Sequence, residues 1–278
     1  PITWNNSGGT LDIQGGTVNL GGFAVSNLGT FTRAGGGTAG TVNLVGTMTN
    51  PGTFTFDSTY GVWNLAGGTV IGGALTSASG LVALGGTTST LDGVTLNADL
   101  TVNNNAFINV QNGLTLGGGA KVTLASTGSG SSLTFVGATQ TFGGAGELIF
   151  GGTSTNDTVA ASLNALQTLT IGSGITIHTS TATQGNITAT KAIVNQGVIS
   201  ADVAGKTILV NGAGGLTNDG TLSAPAGTFT SNTTTVTNSA SGQITVSGTG
   251  ALSLAGRTFS NNNTTSITGG TLTINPIT

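Results

Sequence analysis

Short runs of alternating apolar and polar residues recur along the whole chain, each closed by one or two glycines. Val62-Trp63-Asn64-Leu65, Leu81-Val82-Ala83-Leu84, Lys121-Val122-Thr123-Leu124, Leu133-Thr134-Phe135 and Glu147-Leu148-Ile149-Phe150 are examples. They are too short for helices and too frequent for a sandwich of long strands. The runs also repeat as phrases. Thr17-Val18-Asn19-Leu20 returns as Thr41-Val42-Asn43-Leu44, and Asn27-Leu28-Gly29-Thr30-Phe31 returns as Asn50-Pro51-Gly52-Thr53-Phe54 after almost the same interval. Far downstream, Asn195-Gln196-Gly197-Val198-Ile199-Ser200-Ala201 is echoed at that interval by Asn218-Asp219-Gly220-Thr221-Leu222-Ser223-Ala224. A self-similar period of about 20 to 24 residues carrying two or three strands per repeat is the mark of a stacked solenoid.

The pattern therefore predicts an all-β fold, a single-stranded parallel β-helix (β-solenoid) with one continuous domain over residues 1–278 and roughly 12 coils. The repeats blur between about residues 85 and 190, but no composition break marks a second domain. Ala160-Ala161-Ser162-Leu163-Asn164-Ala165-Leu166 is the one segment with helical flavour, and another coil is its competing reading.

The side-chain period of two sends Phe31 and Phe54 inward and their flanking threonines outward, so stacking predicts Phe31 on Phe54 and outward threonine ladders. Asn27 over Asn50, and Asn195 over Asn218, are expected to form amide ladders at corners. A Thr-x-Thr array repeated on one face could order water as an ice-binding surface does. Thr30/Thr32 and Thr53/Thr55 align, but Thr76/Ala78 in the next coil breaks the pattern, so ice binding ranks last.

Composition narrows the function. Charged residues are 5% of the 278 positions, against about 25% in an ordinary domain. Mean hydropathy is +0.27 and the formal net charge is -3, a combination unlike that of disordered chains. Five basic residues without a cluster cannot build a phosphate-binding stripe, which excludes nucleic acid as a partner. No run approaches the roughly 18 apolar residues of a spanning helix, so direct membrane insertion by a helix is excluded. With no cysteine there are neither disulfides nor thiolate metal sites. The sequence starts at Pro1 without a leader pattern and is read as a mature form or a fragment of a longer repetitive chain. Neither Pro1-Ile2-Thr3-Trp4 nor Thr273-Ile274-Asn275-Pro276 reads as a cap, so either truncation or head-to-tail self-association into fibres is expected.

Ile193–Ala201 and Gly214–Ala224, with their Asn-x-Gly-x-Ile/Leu-x-Ala cores, resemble the repeats of filamentous-haemagglutinin-type adhesins and autotransporter passenger regions. The clear likeness covers about a sixth of the chain. It implies a right-handed parallel β-helix on a bacterial surface, extracellular, with host or neighbouring-cell surfaces or glycans as partners. No secretion domain and no Arg-Gly-Asp is present.

Parallel β-helices also carry polysaccharide-degrading sites, which need grouped carboxylates. The acidic residues are Asp12, Asp57, Asp92, Asp99, Glu147, Asp157, Asp202 and Asp219. Asp202 and Asp219 near Lys206 are the best pairing, with a corner carboxylate–lysine pair as the plain alternative, and Asp92 with Asp99 comes second. His178 is the only histidine, expected outward beside Thr176. Gly8-Gly9, Gly35-Gly36-Gly37 and Gly117-Gly118-Gly119 lack the context of a phosphate loop. Asn156, Asn186, Asn232 and Asn263 open Asn-x-Thr triplets of the glycosylation type. Trp4, Tyr60 and Trp63 are too few for an evident sugar platform. The sequence thus predicts no catalytic, cofactor-binding or metal residues and no cofactor. It points to a structural surface protein acting by adhesion, self-assembly or matrix formation, with a polysaccharide-binding or polysaccharide-degrading domain as the alternative.

Overall fold

The computed structural model describes residues 4–32, 40–56, 62–77, 79–163 and 167–276. They form a parallel β-solenoid of about 11 turns at about 22 residues per turn, with helix limited to one short 3₁₀ turn, Val25–Asn27. Gly35, Gly36, Gly37, Asp57, Tyr60, Ala78, residues 164–166 and Pro1, Ile2 and Thr3 lie outside the described residues. The first half of the segment with helical flavour is strand, Asp157–Leu163.

Each coil contributes to three rows of strands. The first row runs through Thr17–Leu20, Thr41–Leu44 and Val62–Leu65 to Gly174–Thr179, Val198–Ser200, Thr221–Ala224, Gln243–Val246 and Thr265–Ile267. The second includes Ser131–Gly137, Asp157–Leu163, Gln184–Ala189 and Thr207–Gly212, and the third Thr168–Ile171, Ala192–Asn195, Leu216–Asn218, Thr235–Asn238 and Thr258–Asn261. Registers are parallel and place like on like: Thr17 pairs Thr41, Asn19 pairs Asn43, and Asn195 pairs Asn218.

Alternation explains the interior. Val42, Val70, Leu75, Leu91, Ile108, Phe135, Phe150, Ile177, Ile199 and Phe229 are all fully buried, each stabilising the fold by about 1.5–3 kcal/mol relative to exposure. The N-terminal coils carry an aromatic cluster in which the Trp63 ring lies 5.6, 5.3 and 4.9 Å from those of Phe31, Phe54 and Phe56.

Two local expectations are corrected. Phe54 is stacked on Leu75, with Thr53 on Ala74 and Thr55 on Thr76, and the two threonine hydroxyls are 2.8 Å apart. The next coil therefore offers Ala74/Thr76 rather than Thr76/Ala78, so one threonine column continues through Thr76 and the other ends at Ala74. Asn27 sits in the 3₁₀ turn, and the Asn50 amide donates to the Ala74 carbonyl (3.0 Å) rather than joining Asn27 in a ladder. The other expected ladder exists and is longer than expected. Asn195 Nδ2 donates to Asn218 Oδ1 (2.8 Å), Asn218 to Asn238 (2.7 Å) and Asn238 to Asn261 (2.7 Å).

Corners absorb the irregularity of the middle coils. The strands Thr88–Asn97 and Phe107–Leu116 each cross from the second row to the third through a bulge, and the register slips between Asp92 and Val94. Gly93 (φ 61°), Asn112 (φ 52°) and Gly113 (φ 85°) occupy the left-handed region there, which glycine and asparagine reach at least cost.

Candidate functional site

On the first row, four ionisable side chains from successive coils meet on the outer surface. Lys121 starts the strand Lys121–Ala125 and is in register with Glu147, which is in register with Thr176; His178 pairs Ile149 on one side and Ser200 on the other. Buried Ile175 and Ile177 set the phase that turns His178 outward, as the alternation predicts. Lys121 Nζ lies 3.1 Å from Glu147 Oε2, and the same oxygen is 3.6 Å from His178 Nε2. His178 Nδ1 lies 3.1 Å from Asp202 Oδ2, while Thr179 Oγ1 donates to Asp202 Oδ1 at 2.8 Å. Both Asp202 oxygens are thereby engaged.

This arrangement orients the imidazole. Nδ1 faces two acceptors at 3.1 Å, Asp202 Oδ2 and the Thr179 carbonyl, and so carries a hydrogen, while Nε2 faces Glu147. The hydrogen bond from the Lys121 ammonium holds the Glu147 carboxyl below its ordinary range, with desolvation opposing it and the His178 side chain adding to the effect. Glu147 is thus kept as an anion rather than poised as an acid.

Asp202 therefore meets His178 and Thr179, not the residues expected from sequence. Lys206 Nζ donates to the Thr181 carbonyl at 2.9 Å, and Asp219 stands at the corner after Asn218, its backbone N–H bonded to the Asn195 carbonyl (2.7 Å). Asp92 and Asp99 also separate: Asp92 accepts from Asn112 Nδ2 at 2.6 Å, and Asp99 accepts from the Lys121 backbone N–H at 2.9 Å. Asp12 accepts a hydrogen bond from Gln14.

A second polar centre lies inside. Asp157 is fully buried; its Oδ1 accepts from Ser131 Oγ (2.6 Å) and the Ser126 backbone N–H (3.2 Å), and its Oδ2 has no hydrogen-bond partner. Burial pushes its carboxyl above the ordinary range, partly offset by the Ser131 and backbone donors. Next to it, Asn104 Oδ1 gathers the Ser126 hydroxyl and the backbone N–H groups of Thr127, Gly128 and Ser129 at 2.9–3.0 Å, which organises the 126–130 turn. The signal for this centre was in the sequence: Val159 and Ala161 point inward, so Asp157 shares their phase.

A depression of about 240 Å³ on the outer surface is lined by Ser77, Asn97, Asp99 and Gly118–Gly119, and another of about 430 Å³ lies against the core in the first coils, lined by Trp4, Leu11, Val18 and Leu20. The His178 row borders neither. Among the described residues no group of three or more His, Asp or Glu side chains is placed to hold a metal ion, and no helix is long and apolar enough to cross a membrane. Of the Asn-x-Thr triplets, Asn156, Asn186 and Asn263 spend their amide hydrogens on carbonyls one coil away, and Asn232 is exposed.

No family model, curated protein or solved structure matches this chain.

Proposed function

We propose that the chain is a structural surface protein, a β-helical rod that works outside the cell by adhesion and self-assembly and has no catalytic centre. The carrying observation is the repetition of a charge-poor exterior over about 11 turns, with Thr and Ser filling most positions where an ordinary domain has charge. Such a surface makes many weak, equivalent contacts, and multivalency along a rod turns them into avidity. The likeness of Ile193–Ala201 and Gly214–Ala224 to filamentous-haemagglutinin-type and autotransporter repeats supports the same reading and an extracellular place, with cell surfaces or glycans as partners.

Electron microscopy of the purified chain tests assembly. Fibres with an axial repeat near 50 Å, about 11 coils at roughly 4.8 Å each, are the expected result. Dispersed single rods at every concentration would overturn the self-assembly reading.

One observation favours a second reading, a polysaccharide-binding or polysaccharide-degrading domain: Glu147, His178 and Asp202 from successive coils converge on the outer surface. Release of new reducing ends from an acidic glycan, lost in His178→Ala, would favour it over the structural reading.

A further inference from the structure

Asp157 takes no part in the outer surface, yet its neighbours are the components of an acyl-transfer site. The second-row strands Ser131–Gly137 and Asp157–Leu163 pair in parallel with Ser131 opposite Asp157. Leu133 and Phe135 on one strand, and Val159 and Ala161 on the other, are buried, so the period of two puts Ser131 and Asp157 in the inward phase. The two side chains meet away from water. Ser131 is 1% exposed and Asp157 0%, and the Ser131 hydroxyl donates to Asp157 Oδ1 at 2.6 Å. The next coil sets Gly185 opposite Asp157, a residue with no side-chain donor to offer Oδ2. Of the buried serines Ser89, Ser126, Ser131, Ser154 and Ser231, Ser131 is the one whose hydroxyl is bonded to a carboxylate.

The peptide bond before Ser131 completes the set. Gly130 is buried and takes φ 90°, a conformation that glycine reaches at least cost. Its carbonyl oxygen accepts the backbone N–H of Asn105 at 2.7 Å, and Asn105 is itself in the left-handed region (φ 61°). That N–H points at the atom on which negative charge builds when the Gly130 carbon is attacked, the role of an oxyanion donor. The Ser131 hydroxyl reaches the same carbon through a small ring of its own N, Cα and Cβ. The Asp157 carboxylate also faces the Ser131 backbone N–H, so one base borders both the nucleophile and the leaving nitrogen.

We propose that the Gly130–Ser131 bond is a self-cleavage site, at which Ser131 Oγ attacks the Gly130 carbonyl carbon with Asp157 as the base. Asp157 takes the hydroxyl proton, and the Asn105 N–H holds the tetrahedral oxyanion. The proton then passes to the Ser131 nitrogen as the C–N bond breaks. The amide becomes an ester between Gly130 and Ser131 Oγ, with a free amine on Ser131. Water hydrolyses this ester to a Gly130 carboxylate and restores the Ser131 hydroxyl. Only water is consumed, and the reaction runs once, within the chain, on no outside substrate. Burial raises the Asp157 carboxyl above its ordinary range, which strengthens it as a base once ionised. The rod outlasts the break, because the strand Ser131–Gly137 stays bonded to Phe107–Leu116 on one side and Asp157–Leu163 on the other.

The test is to incubate the purified chain for days at neutral pH, with and without hydroxylamine, then denature it and weigh the products by mass spectrometry. Fragments 1–130 and 131–278 are expected, with a hydroxamate on Gly130 in hydroxylamine that marks the ester. Ser131→Ala is expected to stay whole, and Ser131→Thr, which keeps a hydroxyl, to be cut. Asp157→Asn should be cut at least about 100-fold more slowly, the lower end of what a general base contributes. Circular dichroism checks that each variant folds. A wild type that stays whole under both conditions, or a folded Ser131→Ala cut at the same bond, would overturn the proposal, as would an unchanged rate in folded Asp157→Asn. Should Asp157→Asn fail to fold, Ser131→Ala against Ser131→Thr decides alone. None of these outcomes bears on fibre formation, which microscopy reads separately.

Discussion

Asn218 stands between two copies of itself: its Oδ1 accepts from Asn195 at 2.8 Å while its Nδ2 donates to Asn238 at 2.7 Å, and all three residues are fully buried. A buried amide of this kind is satisfied only by its column. Its hydrogens also reach the Gly220 and Gln243 carbonyls, so one side chain ties the corners of adjacent coils together. Asn218→Ala is expected to destabilise the fold by about 1–3 kcal/mol, since the buried Asn238 Oδ1 loses its donor while the Asn195 amide keeps the Gly197 and Thr221 carbonyls. Urea unfolding checks this. Asn218→Asp should be worse at pH 7 than at pH 3, because its charged form faces the Asn238 carbonyl oxygen in the interior.

The ladder also has a beginning. Asn195 Oδ1 is buried without a donor, because the coil below places Ile171 in that column. Ile171→Asn would supply the missing hydrogen. Ile193→Asn, in the neighbouring inward column, would find Leu169 and Leu216 instead. Both lose an apolar side chain, yet Ile171→Asn is expected to cost less by about 1 kcal/mol, the net worth of one hydrogen bond. Equal unfolding midpoints for the two variants would contradict the assignment.

Asp157 predicts a pH dependence whose sign follows from its burial. Its carboxyl is raised in the fold, so the neutral form is the one the interior favours. The contribution to stability is fully present below the unfolded value and is lost as pH rises through the folded one. Asp157→Asn should flatten the stability profile in the window just above the ordinary aspartate range, as measured by thermal unfolding from pH 3 to 7. Glu147 acts with the opposite sign, since Lys121 lowers it. Its effect is small because the pair is exposed (48% and 38%).

Trp63 is the hub of the N-terminal aromatic cluster, and its indole N–H is buried without an acceptor. Trp63→Ala is expected to cost about 3–5 kcal/mol. Trp63→Phe keeps a ring in the cluster and removes the unmatched donor, so its cost should stay below about 1.5 kcal/mol. Chemical denaturation of both variants separates the packing of the ring from the cost of the unmatched donor.

The parts legible in sequence were those in which one coil copies the last. Thr17–Leu20 lies on Thr41–Leu44, and Asn195 on Asn218, as their phrases predicted. The His178 row was not legible. Its members are separated by corners of unequal length: the coils from Lys121 to Glu147 and from Glu147 to Thr176 are both longer than the coil from Thr176 to Val198. The same inequality blurred the repeats of the central coils and led to the pairing of Asp202 with Lys206 and Asp219 instead of His178.

By itself, then, the sequence determined the class of the molecule. Alternation decides which side chains face inward, glycine and asparagine mark the corners, and the scarcity of charge limits what the exterior can bind. These are local properties, and each coil states them again. Which side chains meet was decided only in three dimensions. Parallel pairing aligns residues along the axis by backbone hydrogen bonds alone, so corner loops can lengthen without disturbing the ladders. The contact between His178 and Asp202, the burial of Asp157 beside Ser131, and the extension of the asparagine ladder to Asn238 and Asn261 all depend on that alignment.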